Sequence, residues 1–344
     1  MVTLGGPGPG GPLPGPGGDP MTRAMGASAP RAAEIRHEIL DLPGLRQHVA
    51  RAGEGPPLVL LHGWPEFWTS FEPLMARLSD RFSLIAPDLR GFGETGRDPA
   101  APPDPTVDAQ AHAADLLALL DALGLARVGL VGHDVGAYVM QAFARRHPER
   151  LAGLFFFNCP TTGIGPRWAA AAHLKETWYQ YFHQQPFAAA LVGASRESCA
   201  AYIGHFLRHW SADPEAFAPM MERFIDNFMR PGNLQGGFDW YLSAAPGRQQ
   251  VIAGEAPRLP PIPVPTRVLW GARDPIIRVE WMDALGETFS DLEAGRAEEA
   301  GHFVHVEAPD LAAEAIARFF GGRMGADALS GGSRPDSVTS PRGA

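Results

Sequence analysis

The sequence predicts an α/β fold, a doubly wound and mostly parallel sheet with an inserted helical cap. Three observations predict it. Short apolar runs alternate with helical periods through most of the 344 residues, as parallel strands covered on both faces by crossover helices require. Between about residues 159 and 263, helical periods and aromatics continue without a convincing parallel strand. Strand and helix signals then resume, so the interruption is an insertion within one domain and not the start of a second.

The elements follow in chain order. Residues 1–30 are expected to be a disordered leader, because 5–18 are all Gly or Pro except Leu13 and bury too little apolar surface to offset chain entropy. The stretch lacks the basic start and apolar run of a secretory signal, and Met21 and Met25 are alternative starts. The first part of the core, 31–158, opens with an antiparallel pair at 35–40 and 45–50, turned by Pro43-Gly44. Buried strands follow at 58–61, 82–86, 128–131 and 154–157, with helices near 70–78, 107–123 and 135–146. The cap, 159–263, leaves through the proline-rich segment 257–265, whose prolines keep the backbone extended. The second part of the core, 264–321, has a strand at 264–270 and helices near 280–288 and 310–320. Beyond it, 322–344 is rich in Gly, Ser, Asp and Pro and is expected to be a disordered tail.

Composition narrows the function classes. The net charge of -9 is spread along the chain without a Lys/Arg cluster, which argues against nucleic acid as a partner. No apolar run approaches the roughly 20 residues needed to span a membrane. Cys159 and Cys199 lack metal-ligand spacing and catalytic neighbours and read as reduced, partly buried thiols of a cytoplasmic protein.

The chemistry begins at Val131-Gly132-His133-Asp134-Val135-Gly136-Ala137. A glycine two residues either side of Asp134 permits a tight strand-to-helix turn with a nucleophile at its tip. Serine there would form an acyl-enzyme. Aspartate instead displaces a leaving group at a saturated carbon and becomes the acyl part of an ester that water must hydrolyse. Epoxides or alkyl halides are therefore the expected substrates. Three further segments complete the set in the order nucleophile, acid, histidine. Gly271-Ala272-Arg273-Asp274 ends a strand and offers Asp274 to orient a histidine. Ala300-Gly301-His302-Phe303 places the His302 imidazole on a loop before the final helix, with His305 facing elsewhere. Leu60-Leu61-His62-Gly63-Trp64-Pro65-Glu66 supplies a turn, with a cis bond expected before Pro65. The backbone N–H groups of Trp64 and Val135 are expected to form an oxyanion hole. His62 is read as support for this loop.

With these motifs, and with Asp88-Leu89-Arg90-Gly91-Phe92-Gly93, the chain resembles an α/β-hydrolase of the epoxide hydrolase and haloalkane dehalogenase group from about residue 35 to 320. The two reactions differ in the leaving atom, since an alkoxide needs a proton donor and a halide does not. Gly237-Phe238-Asp239-Trp240-Tyr241 resembles the epoxide hydrolase cap segment whose tyrosine protonates the epoxide oxygen, which makes Tyr241 the candidate acid. The resemblance also implies a second cap donor. Alignment on Tyr181-Phe182 puts Trp178 at that place; a shifted register puts Tyr179 there. Phe182, Trp240 and Phe303 are candidate pocket residues.

The expected scheme has Asp134 open the ring, Tyr241 protonate the oxygen, and water activated by His302 and Asp274 release a diol. It needs no metal and no organic cofactor. A small apolar substrate and water are the expected partners, and a homodimer is left open. The alternative is a haloalkane or haloacid dehalogenase using the same aspartate. Against it, the tryptophan such enzymes commonly place after the nucleophile is Val135 here. The arginines that clamp a carboxylate one and four residues after the nucleophile in fluoroacetate dehalogenases are Val135 and Tyr138, although Tyr181-Phe182-His183-Gln184-Gln185-Pro186 resembles them. A non-catalytic ligand-binding protein of the same fold is the further alternative; it would tolerate loss of Asp134, Asp274 or His302, and all three are present.

Overall fold

The computed structural model describes residues 34–324; the expected leader, and the expected tail beyond 324, lie outside them. Within them the strands are β1 (Arg36–Leu42), β2 (Leu45–Ala52), β3 (Pro57–Leu61), β4 (Ser83–Pro87), β5 (Val128–His133), β6 (Leu151–Phe157), β7 (Thr266–Gly271) and β8 (Leu292–Ala297). They form one sheet in the order β1-β2-β4-β3-β5-β6-β7-β8. β2 pairs antiparallel with β1 and β4, and the remaining pairs are parallel. The helices are α1 (Glu72–Leu78), α2 (Ala109–Ala122), α3 (Val135–Arg146), α4 (Leu174–Phe182), α5 (Ala188–Val192), α6 (Arg196–His209), α7 (Met221–Met229), α8 (Asn233–Ala253), α9 (Val304–Glu307) and α10 (Pro309–Gly321).

The central strands are apolar because both faces are covered. In β6, Phe155 and Phe157 share one face with their rings 5.3 Å apart, while Phe156 turns to the other and meets Phe289. Each buries a side chain worth about 2–3 kcal/mol of apolar transfer. α4 to α8 form the insertion between β6 and β7. Among the described residues no helix is long and apolar enough to cross a membrane.

Two local expectations differ from the structure. The segment near 280–288 is a run of 3-10 turns, Val279–Glu287, burying Trp281, Ala284 and Leu285; that three- and four-residue spacing suits either helix type. β8 was not expected. It is an edge strand of sequence LEAGRA with only its last residue buried, so it lacks the apolar pattern that marks the interior strands.

Candidate active site

The carboxyl ends of β5, β6 and β7 converge, and there the structure gathers the chemistry-bearing residues. Asp134 sits between β5 and α3 with φ 48°, a strained conformation that aims its side chain out of the turn. The turn closes only around glycine: a Cβ at Gly136 would lie 2.2 Å from the Leu61 carbonyl oxygen. The loop after β3 meets Asp134 from the other side. Its Trp64–Pro65 bond is cis, and the Trp64 N–H donates to Asp134 Oδ1 at 2.9 Å. Val135 begins α3, where first-turn N–H groups lack helical acceptors.

His302 Nε2 stands 4.0 Å from the other oxygen, Oδ2 of Asp134. Its Nδ1 is 2.8 Å from Asp274 Oδ2. The second oxygen of Asp274 accepts from the N–H groups of Ile276 and Ile277 at 2.8 and 3.0 Å. A carboxylate so surrounded holds the imidazole with its proton on Nδ1 and leaves the Nε2 lone pair toward Asp134. Burial pulls the His302 pKa down, but the charge and hydrogen bond of Asp274, with the carboxylates of Asp134 and Glu66, outweigh it and leave the pKa raised.

Two supports went unread in the sequence. Asn158, at the end of β6 with φ 45°, donates to Asp274 Oδ2 at 2.5 Å and accepts from the Gly271 N–H at 2.8 Å. The available signal was a polar residue closing a phenylalanine run just before Cys159-Pro160. Behind His302, the Glu66 carboxylate takes the Gly63 N–H at 2.9 Å, His133 Nδ1 at 2.6 Å and His305 Nε2 at 2.7 Å. Burial raises the Glu66 pKa, and the two histidines reverse the effect and hold it well below the usual carboxylate range. Glu66, His133 and His305 form a group of metal-ligating type, but the spacing is that of hydrogen bonds between them. His62 donates from Nδ1 to the Gly63 carbonyl and accepts the Leu89 N–H at Nε2, so both its nitrogens are occupied by the loop.

The cap closes this site with aromatics. Tyr179 of α4 stacks on Trp64, ring centroids 5.4 Å apart, and Tyr241 of α8 stands edge-on to both. Burial raises both phenol pKa values, Tyr241 well above its ordinary value, and the Asp134 carboxylate adds to each. Trp178 is 44% exposed and packs on Phe182, Tyr202 and Phe206. The expectation that Trp178 faces the nucleophile is therefore corrected. Residues one apart on a helix point about 100° away from each other, and Trp64 takes the face that carries Tyr179 and His183. Phe182 lies against Trp178, His183, Phe187 and Tyr202. Trp240 is buried on His112 and on Tyr138 of α3. Phe303 packs against His302, His133 and Phe217. Trp210 and Phe206, from α6 and its end, supply wall that was expected only as general cap packing.

Known proteins resemble the chain over most of its length. The profile of the alpha/beta hydrolase fold family matches residues 56–309. The chain is 30% identical over 301 residues to soluble epoxide hydrolase of Corynebacterium sp. (strain C12), covering 84% of this chain and 98% of that protein. It is 28% identical over 319 residues to epoxide hydrolase A of Mycobacterium tuberculosis (strain ATCC 25618 / H37Rv), covering 83% and 97%. Of solved structures, ligand-free epoxide hydrolase CorEH superposes with a TM-score of 0.73 at 26% identity, covering 84% of this chain and 99% of that one. With the strand order, the turn at Asp134 and similarity that runs through both core and cap, the chain belongs to the α/β-hydrolase fold family, in the group of the epoxide hydrolases.

Proposed function

We propose that the protein hydrolyses an epoxide with an apolar body to a vicinal diol through a covalent ester on Asp134. The observation that carries this reading is the pair Tyr179 and Tyr241, two buried phenols beside the nucleophile's carboxylate. Their raised pKa values keep both protonated at neutral pH, so each offers an O–H to the epoxide oxygen. Asp134 Oδ2 attacks the less hindered ring carbon from the face opposite the C–O bond. The C–O bond breaks, and a tyrosine hydroxyl transfers its proton to the departing alkoxide, a stronger base than phenolate. His302, oriented by Asp274, then takes a proton from water that attacks the ester carbonyl carbon. The oxyanion is stabilised by the N–H of Trp64 and the first N–H of α3, at Val135. Collapse releases the diol and regenerates the carboxylate; proton return to the tyrosine completes the cycle. These steps balance without metal or organic cofactor. Two buried free thiols, Cys159 and Cys199, suit a reducing compartment, and the cytoplasm is the location we propose.

A halide leaving group would find no side-chain donor at Val135, next to the nucleophile. The test is turnover of styrene oxide beside 1-bromobutane and fluoroacetate: diol from the first is expected, and bromide or fluoride release without diol would reverse the assignment.

A further inference from the structure

The loop that carries His302 is built against the cap, at the segment just beyond α6. A Cβ at Gly301 would fall 2.4 Å from the Trp210 carbonyl oxygen and 2.7 Å from the Ala212 nitrogen, so the two backbones meet only because that residue is glycine. The His302 N–H donates to the same Trp210 carbonyl at 2.9 Å, and the Trp210 ring stands edge-on to the imidazole with centroids 5.1 Å apart. One carboxylate fastens the junction. Glu307, at the end of α9, accepts the Ala212 N–H at 2.6 Å through Oε2 and the Phe303 N–H at 3.0 Å through Oε1, with the Gly301 N–H 3.1 Å from both oxygens. Burial pushes the Glu307 pKa up, and these N–H groups, with that of Asp213, pull it down without overcoming the burial.

The ion pairs that also cross between cap and core, such as Arg97 with Asp239 and Arg223 with Glu72, join side chains. Glu307 instead holds backbone on both sides of His302 and backbone of the cap, and it needs both carboxylate oxygens to do so. We infer that Glu307 is a positioning residue: it locks cap segment 210–212 to loop 301–303, so that His302 Nε2 is aimed at the Asp134 ester only while that part of the cap is seated. On the proposed epoxide chemistry, on which this rests, ring opening uses Asp134 and the tyrosines of α4 and α8, none of which hydrogen-bonds to Glu307. Hydrolysis of the ester needs His302 to take a proton from water. Loosening the junction therefore slows the second step and spares the first.

E307Q keeps the shape but replaces one oxygen by an N–H donor, so it can hold loop 301–303 or Ala212 and not both. Rapid-quench mass spectrometry of the intact protein with styrene oxide reads the two steps apart. Alkylation is expected at the native rate with a full burst, and ester hydrolysis is expected to slow about tenfold or more, so that ester accumulates. The burst amplitude counts folded sites, so lost stability does not imitate this result. Hydrolysis at the native rate, or both steps slowed equally, overturns the inference. If styrene oxide does not react, the epoxide reading fails, and 1-bromobutane, whose ester on Asp134 needs the same water, is judged by the same two rates. If neither compound alkylates Asp134, or if E307Q does not fold, amide hydrogen exchange of the native protein decides. Ala212, Gly301 and Phe303 should then open as one unit, with protection equal within about tenfold, and an Ala212 amide exchanging about a hundredfold faster than the other two overturns the inference.

Discussion

At Asp134 the two carboxylate oxygens have different work: Oδ1 is held by the Trp64 N–H, and Oδ2 faces His302. Asparagine keeps the shape and removes the nucleophilic charge, so D134N is expected to lose at least about 10^4-fold in turnover. Mass spectrometry of the same sample checks that deamidation has not restored the acid, and intact turnover would defeat the covalent route. Y179F and Y241F each remove one O–H from the oxygen's side. Each should slow single-turnover ester formation by about 10^2-fold and leave hydrolysis of the ester nearly unchanged; an effect confined to hydrolysis would place the tyrosines in another role. Asp134, Asp274 and His302 were legible in the sequence because each stands in a local turn with its own signature. Tyr179 against Trp178 was not, since a shift of one residue in a helix turns the side chain by about 100°, enough to change which one faces inward, while leaving the composition of the segment unchanged. Asn158 was illegible for a different reason: its partners Asp274 and Gly271 are more than a hundred residues away.

At the scale of elements, the proposed ring opening depends on how α8 is pressed on the core. Gly236 meets the Gly91 loop so closely that a Cβ would come within 2.1 Å of the Gly91 carbonyl oxygen. One turn further on, Asp239 takes Arg97 at 2.7 Å and the Asp104 N–H at 3.1 Å. These contacts set the height of Tyr241 above Asp134. G236A must lift the helix or bend it, and displacement of a proton donor by about 1 Å costs on the order of 10^2-fold in rate. The expected result is a kcat fallen by that order with a lowered Tm, and a variant with native kcat would show that α8 does not position the tyrosine. The strand-to-helix turn was predictable because two glycines flank it; the seat of α8 was not, because Gly91 and Gly236 belong to segments that the sequence does not relate.

Over the whole molecule the buried histidines determine the response to acid. Burial lowers the pKa of His62, His183 and His305, and pushes that of His112 down to about 3. Below an unfolded value near 6.5 the unfolded chain therefore takes up protons that the folded chain refuses, and stability falls as pH falls. Each such group contributes at most about 1.4 kcal/mol per pH unit, and only between the unfolded value and its own lowered one. His302 has the opposite sign: its raised pKa gives a contribution complete below about pH 6.5 and lost as pH rises through the folded value. The urea midpoint should therefore drop clearly between pH 7 and pH 5.5. A midpoint that is flat or rises over that interval would mean that these rings are hydrated in the folded protein.

The sequence by itself determined the layered architecture and singled out Asp134, Asp274 and His302 as the candidate nucleophile, acid and histidine. Each of these is written in neighbouring residues, as apolar periods, flanking glycines and turn chemistry. Tertiary structure alone decided which cap side chains look at the nucleophile, that Asn158 and Glu66 stand behind the acid and the histidine, and that Glu307 reaches the cap at Ala212. Periodicity says that a helix has an inner face, but which residues occupy it depends on what the rest of the chain presents to that face. Here it is Trp64, more than a hundred residues earlier, that takes Tyr179 and turns Trp178 to solvent.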